Sequence, residues 1–474
     1  MERLTGLDAS FLYLETDTQL LHVCALLILD PAADGTDYEF SALKDELGRR
    51  LHLVPAMRRR VHRVPFDLDH PVWVTDSTFD LDHHVRRLGL PAPGGSRELA
   101  DLVADIAGQP MDRSRPLWEM WVIEGLAGGK VAVVSKYHHA AVDGITGANM
   151  MAYLCDAEPG VRYPEPPAEI ASGADNPNDL VLAAEGLARM PAKLGMVAMV
   201  PQTVGKLGSL VQRRRSDKGG MALPFTAPRT PFNRTVTPHR SIAFTTAELS
   251  DIKDIRAAFG VKINDVVLTV VAGALRQYLA DRDELPDTSL IASIPVSTHE
   301  TSRHDRGVNK VSTLFTQLYT DIEDPVQRLG QIAEANRCAK EEHEVLGADF
   351  LQDWARYAPP NTFRLAMRAY SSFKLAERHP VVHNLVISNV PGPQQPLYFL
   401  GHRIDALFPF GPVFHGAGLN VTVLSANGDL DIGFIACREL VPDLDRMAAA
   451  VHDSIAALLK AAHAGTESRE PAQH

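Results

Sequence analysis

Apolar residues fall along this chain in two rhythms. Short continuous runs, Leu20 to Leu29 and the β-branched Lys130 to Tyr137, predict buried strands, whereas helical spacing around Ala42 to Leu53 and Leu99 to Ile106 predicts helices. Ile145 to Leu154 reads as a further helix, so the polar residues between it and the strand before it form a tight connection. Farther on, Arg240 opens a strand, and Thr245 with Glu248 makes a capping-box pattern for a helix closed by Gly260. Asn264 is placed to cap the next helix, Asp265 to Leu279. Leu290 to Val296 and Val311 to Tyr319 predict strands, and Asp324-Pro325 marks the start of a long polar helix. Leu419 to Leu424 and Leu430 to Ile435 flank Asn427-Gly428, a hairpin signal, and a last helix begins near Pro442 before a polar tail.

The rhythm breaks once. Pro159, Pro164, Pro166, Pro167 and Pro177 punctuate a polar stretch unsuited to regular structure, which predicts a crossover between two lobes. Asn178 to Arg215 then carries apolar residues at mixed helical spacing, as one or two helices broken at Pro191 and Pro201. The expected organisation is therefore a first lobe over 1–157, a linker over 158–238, a second lobe over 239–463 and a tail over 464–474. No sequence repeat is visible.

Size and composition agree with that division. A chain of 474 residues exceeds what one hydrophobic core usually supports. Hydrophobic residues at 45% and charged residues at 22% permit a full core, confining disorder to short segments. The net charge of -12 disfavours nucleic acid as a partner. Cys24, Cys155, Cys338 and Cys437 are far apart and without metal-finger spacing, which suits a reducing cytosol. The opening Met-Glu-Arg-Leu-Thr-Gly-Leu-Asp lacks the pattern of a signal peptide. No apolar run approaches the ~20 residues that span a bilayer, so any membrane association is expected to be peripheral.

The densest polar cluster is Tyr137-His138-His139-Ala140-Ala141-Val142-Asp143-Gly144, between an apolar strand and a helix. Ala140 and Ala141 leave room beside the imidazoles, and Gly144 permits a turn. A neutral imidazole can take a proton from an alcohol and return it to a leaving group, as acyl transfer requires. From the residues alone the histidines could equally be a packing pair or a chance metal site, though no third ligand is suitably spaced. Asp143 could orient His139 or pair with an arginine to hold the loop, and the holding role is favoured. GxSxG, GxxxxGK[ST] and a strand-borne GxGxxG are all missing, which weakens serine-hydrolase and nucleotide chemistries.

The ordered motifs of the chain resemble one family. Gly6-Leu7-Asp8-Ala9-Ser10-Phe11, Arg115-Pro116-Leu117-Trp118-Glu119, HHxxxDG at His138 to Gly144, Asn264-Asp265, Ser388-Asn389-Val390-Pro391-Gly392-Pro393 and Gly418-Leu419-Asn420-Val421 are similar to those of the bacterial wax ester synthase/acyl-CoA:diacylglycerol acyltransferases. The resemblance spans nearly the whole chain. One departure is Gly307-Val308-Asn309, where the family usually sets glycine directly before asparagine, so no role is carried over to Asn309.

The resemblance implies a mixed α/β fold of two chloramphenicol-acetyltransferase-like lobes with the reaction centre in a tunnel between them. It implies His139 as general base, His138 as its support, Asp143 as a holding group and Gly144 as the turn. Asn264, Ser388 and Asn389 become candidate substrate contacts. Asn264 is otherwise a helix cap, and Ser388 to Pro393 a strand ending in a turn. Pro116, Leu117 and Trp118 read as turn and core.

The implied reaction moves a long-chain acyl group from acyl-CoA to diacylglycerol, with acyl-CoA as co-substrate and neither cofactor nor metal. A fatty alcohol acceptor giving wax ester, or a silent lipid-binding protein, are the alternatives. The expected place is cytoplasmic, on the inner face of the membrane or on lipid bodies, with Ala192 to Val211 and Arg213, Arg214 and Arg215 as the contact or as a clasp between lobes.

Overall fold

The protein is described by a computed structural model over residues 1–35, 38–141, 153–161, 163, 177–193, 222–297, 311–346 and 360–467. The first lobe is built on a seven-stranded sheet, in the order β5 (Val85–Gly89), β6 (Trp118–Glu124), β7 (Val131–His138), β2 (His22–Leu29), β14 (His402–Phe410), β13 (Tyr398–Phe399) and β8 (Cys155–Asp156). Its central strands are apolar on both faces because both are covered. Leu26, Ile28, Ala132 and Val134 pack with α3 (Ser96–Ala107), while Leu27, Leu29, Val131 and Val133 pack with α2 (Phe40–Arg50). All eight side chains of β7 are buried. A small sheet of β1 (Glu2–Arg3), β4 (Val72–Thr75) and β3 (Arg59–His62) lies beside α1 (Gly6–Leu14).

The second lobe carries a six-stranded mixed sheet in the order β11 (Val311–Gln317), β10 (Ile291–Ser297), β12 (Leu385–Pro391), β15 (Leu419–Ala426), β16 (Asp429–Cys437) and β9 (Arg240–Glu248). One face is covered by α5 (Leu249–Phe259), α6 (Ile263–Ala280) and α9 (Leu444–Glu467), with α7 (Pro325–Leu346) beside them. On the other face Ile242 and Ile435 join Phe408 and Phe410 of β14 in a core shared with the first lobe. Asn427 and Gly428 take the left-handed backbone angles the predicted hairpin turn demands.

Four expectations need correction. The lobes do not follow the sequence division, since β13 and β14 come from the C-terminal stretch yet extend the first sheet, with Ile404 opposite Leu29 and Phe410 opposite Cys24. Thr245 caps nothing: β9 runs on through Glu248, pairing with β16, and the helix starts at Leu249. Asn264 is not a cap either, because α6 begins at Ile263 and the carboxylate of Asp265 accepts the Lys262 backbone N–H at 3.0 Å. Pro191 does not break its helix, as α4 runs Asp179–Lys193.

Asp143, Gly144, Asn309, most of Ile145 to Leu154, nearly all of Ala192 to Val211 with Pro201, and Arg213, Arg214 and Arg215 lie outside the described residues. No single described helix is long and apolar enough to cross a membrane. The pair α5 and α6 meets the length and composition together, but it is bent by 107° and packed in the second core.

Polar contacts clasp the lobes around residues 16–19. His415 N donates to Gln19 Oε1 at 2.7 Å, Arg240 Nη2 donates to the Thr18 carbonyl at 2.9 Å, and His415 Nε2 lies 3.5 Å from Thr16 Oγ1. The helix α8 (Pro360–Ser372) also reaches back, setting Phe363 against Tyr13 of α1.

Candidate active site

The end of β7 lies in this clasped region. His138 closes the strand opposite His22, and the chain then turns, with Ala141 N donating to the His138 carbonyl at 2.8 Å. His139 N is held by the Leu21 carbonyl at 2.8 Å and His138 N by the Leu117 carbonyl at 3.0 Å. Leu117 and Trp118 are buried, and Trp118 Nε1 donates to the Met57 carbonyl at 2.7 Å while its indole stacks on His84. That segment therefore works as the turn and core the sequence predicted, backing the histidine turn through Leu117.

The adjacent imidazoles have opposite fates. His138 is fully buried and both ring nitrogens are engaged: Nδ1 accepts the Ala140 N–H at 3.0 Å, and Nε2 faces the Glu15 carboxylate. A ring that accepts at Nδ1 carries its proton on Nε2, so His138 is a neutral donor to Glu15. Burial lowers its pKa, opposed by Glu15. Glu15 also takes Arg113 Nη2 at 3.0 Å and lies 3.9 Å from His22 Nε2. Burial alone would raise the Glu15 carboxyl, but the bond from His138 and the Arg113 guanidinium hold it at about 2.

His139 is only partly buried, and its ring stacks on Phe11, with centroids 4.0 Å apart and planes 19° apart. Its Nδ1 is buried without a hydrogen-bond partner among the described residues. Burial drives its pKa down to about 4, its own carbonyl opposing and His138 assisting. At neutral pH the ring is therefore uncharged, and no described residue uses Nδ1. Phe11 in turn belongs to an apolar cluster with Leu12, Tyr13, Met111, Ala140 and Ala141, against which Phe363 packs. The same low polarity that keeps the ring neutral makes it a weaker base, which an incipient oxyanion nearby would offset.

In the second lobe Asn389 Nδ2 donates to Asn264 Oδ1 at 3.2 Å, joining β12 to the first turn of α6. This bond leaves the Asn264 amide nitrogen as a donor. Ser388 projects, by strand alternation, to the opposite face of β12 and makes no side-chain hydrogen bond among the described residues. Asp265 turns inward, its Oδ1 accepting Asn336 Nδ2 at 2.8 Å, and Asn336 in turn accepts from Thr316 at 3.0 Å. Thus Asn264 and Asn389 are brought together, Ser388 stands apart, and none of them hydrogen-bonds His139 among the described residues.

Sequence reasoning missed Glu15 and the role of Phe11. Phe11 sits within a motif already noted; Glu15 is marked only as an acidic residue closing an apolar helix. No group of three His, Cys, Asp or Glu side chains with metal-binding geometry occurs among the described residues. A surface cavity of about 570 Å³ beside Tyr38, Arg87 and Lys130 lies away from this centre.

The two lobes of mixed sheet and helix have a fold that the chain shares with condensation domains. The first condensation domain of the CDA synthetase shares it, with a TM-score of 0.54 at 13% identity over 97% of both chains, a likeness of fold alone. A wax ester synthase/diacylglycerol acyltransferase from Marinobacter aquaeolei VT8 is nearer, with a TM-score of 0.68 and 29% identity over 97% of this chain and 100% of that one.

The sequence model of the wax ester synthase/diacylglycerol acyltransferase catalytic domain matches residues 4–267, and that of the WS/DGAT C-terminal domain matches residues 308–459. A Mycobacterium tuberculosis protein provisionally named a diacylglycerol O-acyltransferase is 43% identical over 97% of this chain and 90% of its own length. A second one from that organism is 35% identical over 97% and 99%. The chain belongs to the wax ester synthase/diacylglycerol acyltransferase family, a family of acyltransferases.

Proposed function

We propose that the protein transfers a long-chain acyl group from acyl-CoA to the free hydroxyl of diacylglycerol, giving triacylglycerol and CoA, with His139 as general base. One observation carries the chemical part: of two adjacent imidazoles, His138 is committed at both nitrogens while His139 is neutral and its Nδ1 has no hydrogen-bond partner among the described residues. His139 takes the hydroxyl proton as the alcohol oxygen attacks the thioester carbonyl. The tetrahedral oxyanion collapses, the carbon–sulfur bond breaks, and the imidazolium returns the proton to the CoA thiolate. No acyl-enzyme, metal or further cofactor enters this cycle, and CoA is a substrate. Asn264, its carbonyl oxygen held by Asn389, keeps an amide donor for substrate. His138, Glu15 and Arg113 fix the turn rather than the reacting atoms.

The preference for diacylglycerol follows the names of the mycobacterial relatives. The name of the Marinobacter relative keeps a second reading in play, a fatty alcohol giving wax ester. Because either acceptor resides in a lipid phase, the protein meets it at a membrane or lipid-body surface from the cytoplasmic side. A competition assay with one labelled long-chain acyl-CoA, offered diacylglycerol and a long-chain alcohol together, separates the readings. Predominantly labelled triacylglycerol is expected. Predominant wax ester would overturn the acceptor assignment, and no product with either would point to a silent binding protein.

A further inference from the structure

Most apolar side chains of this fold are inside, but one edge of the first lobe turns them outward. The helix α4 docks through one face: Leu182 is buried with Val64, Val72 and Val74, and Gly186 approaches so closely that a Cβ there would meet Leu68 at 2.8 Å. Arg189 reaches Asp69 at 3.4 Å from the same side. Half a turn away, Leu180, Ala184, Leu187 and Met190 make an apolar face, with Leu180 82% and Leu187 58% exposed. A soluble helix of ordinary design would carry its charges there. Its exposed carboxylates, Asp179 and Glu185, are instead turned aside to His62 and Arg3.

Beside α4 the chain presents Phe66 at its tip. Its φ of 58° is unfavourable for a bulky residue, and the residue is 84% exposed. The Phe66 carbonyl accepts Asn361 Nδ2 of α8 at 2.8 Å, and on α8 Leu365 is 69% exposed. These three elements form one apolar edge.

The charges around the edge are layered. Asp67 lies inside and takes both Arg63 and Arg364; Asp69 lies inside and takes both Arg3 and Arg189. The guanidiniums of Arg63 and Arg189 face outward, and Arg368 on α8 is exposed without an ion-pair partner among the described residues. From outside, Arg63, Arg189 and Arg368 stand beside exposed hydrocarbon, while the carboxylates of Asp179 and Glu185 at the same edge are tied to His62 and Arg3.

We propose that Phe66, the outward face of α4 and Leu365 form a docking surface for an anionic phospholipid bilayer. Hydrocarbon enters the headgroup boundary while the arginines meet phosphates. The neighbouring Phe363 of α8 packs in the same apolar cluster as Phe11, whose ring stacks on His139, so the edge is joined to that site through one cluster. The inference rests on the acyl-transfer reading only for why a lipid surface is met.

The test needs no turnover, so failure of that reading leaves it intact. Wild type and the triple variant Phe66→Asn, Leu187→Ser, Leu365→Ser are sedimented with vesicles of phosphatidylcholine and phosphatidylglycerol, asparagine being chosen because it tolerates the backbone at position 66. Wild type is expected to bind, more weakly as salt rises, and the triple variant to lose at least about tenfold in affinity with an unchanged melting temperature. Wild type remaining in the supernatant, or a variant that binds equally well, would overturn the proposal. So would an unchanged vesicle affinity accompanied by loss of self-association in light scattering, which would assign the edge to a second copy of this chain.

Discussion

The turn after β7 and the junction of α6 with β12 are both polar breaks at a sheet margin, built from different materials. At the first, a buried carboxylate gathers His138, Arg113 and His22, and beside this charged network one neighbouring ring nitrogen has no partner among the described residues. At the second, uncharged amides hold each other, and what remains is a donor on Asn264. Asp265 has become a structural cap there, closing on Lys262 and Asn336. The difference teaches that polarity alone does not mark reactive groups. What marks them is hydrogen-bonding capacity that the surrounding protein orients but does not consume.

Removing the open acceptor should have the largest effect. His139→Ala is expected to lower turnover by ~10²–10⁴-fold with the melting temperature preserved, read with labelled acyl-CoA at saturating acceptor. Near-normal turnover in folded protein would erase the contrast between the two regions.

Glu15→Gln attacks the network instead of the base. It should cost about 1–3 kcal/mol of stability, below the value for a fully buried ion pair because Arg113 reaches water, and turnover should fall by roughly tenfold as the turn loosens. Denaturation and kinetics on the same preparation check both parts. Stability and turnover both unchanged would show that the turn is fixed by its backbone bonds alone.

Asn264→Ala sharpens the other side. A loss of about tenfold in kcat/KM is expected, the worth of one hydrogen bond. A loss of ~10³-fold in kcat would promote the amide to the oxyanion donor. Asp265→Ala, by contrast, should lower stability by about 1–3 kcal/mol and leave turnover per folded molecule within about threefold.

The last expected effect is spread over many groups and is a slope with pH. Burial holds His139, His383 and His415 at about 4, against 6.5 for an ordinary histidine. Between those values the unfolded chain carries protons that the native chain refuses, so stability rises with pH and is lost on acidification. Glu15 and Glu439, both held at about 2, add a loss below the usual carboxylate range. Asp431, pushed up to about 6 by burial, runs the other way between 3.8 and 6. Melting temperatures are expected to fall from pH 7 to pH 5, and a flat profile would show that the buried histidines find protons in the native state.

Much of this was legible because it is local. The runs at Leu20 to Leu29 and Lys130 to Tyr137, the Gly260 stop, the Asn427-Gly428 turn and the histidine motif each declare themselves within a few residues. What stayed hidden depends on distant partners. Glu15 meets His138 across 123 positions, and β14 enters the first sheet from the far end of the chain, so neither leaves a periodic trace. Asn264 was misread for a subtler reason, since Asp265 beside it caps equally well and the sequence does not say which of the two turns inward.

The central claim is that His139 is a neutral base kept ready by burial, and the pH dependence of kcat/KM tests it most directly. With the free-enzyme imidazole at about 4, the profile should be flat between about pH 5.5 and 8 and fall only on the acid side, together with structural loss. An acid limb centred near the ordinary histidine value of 6.5 in fully folded protein would contradict it.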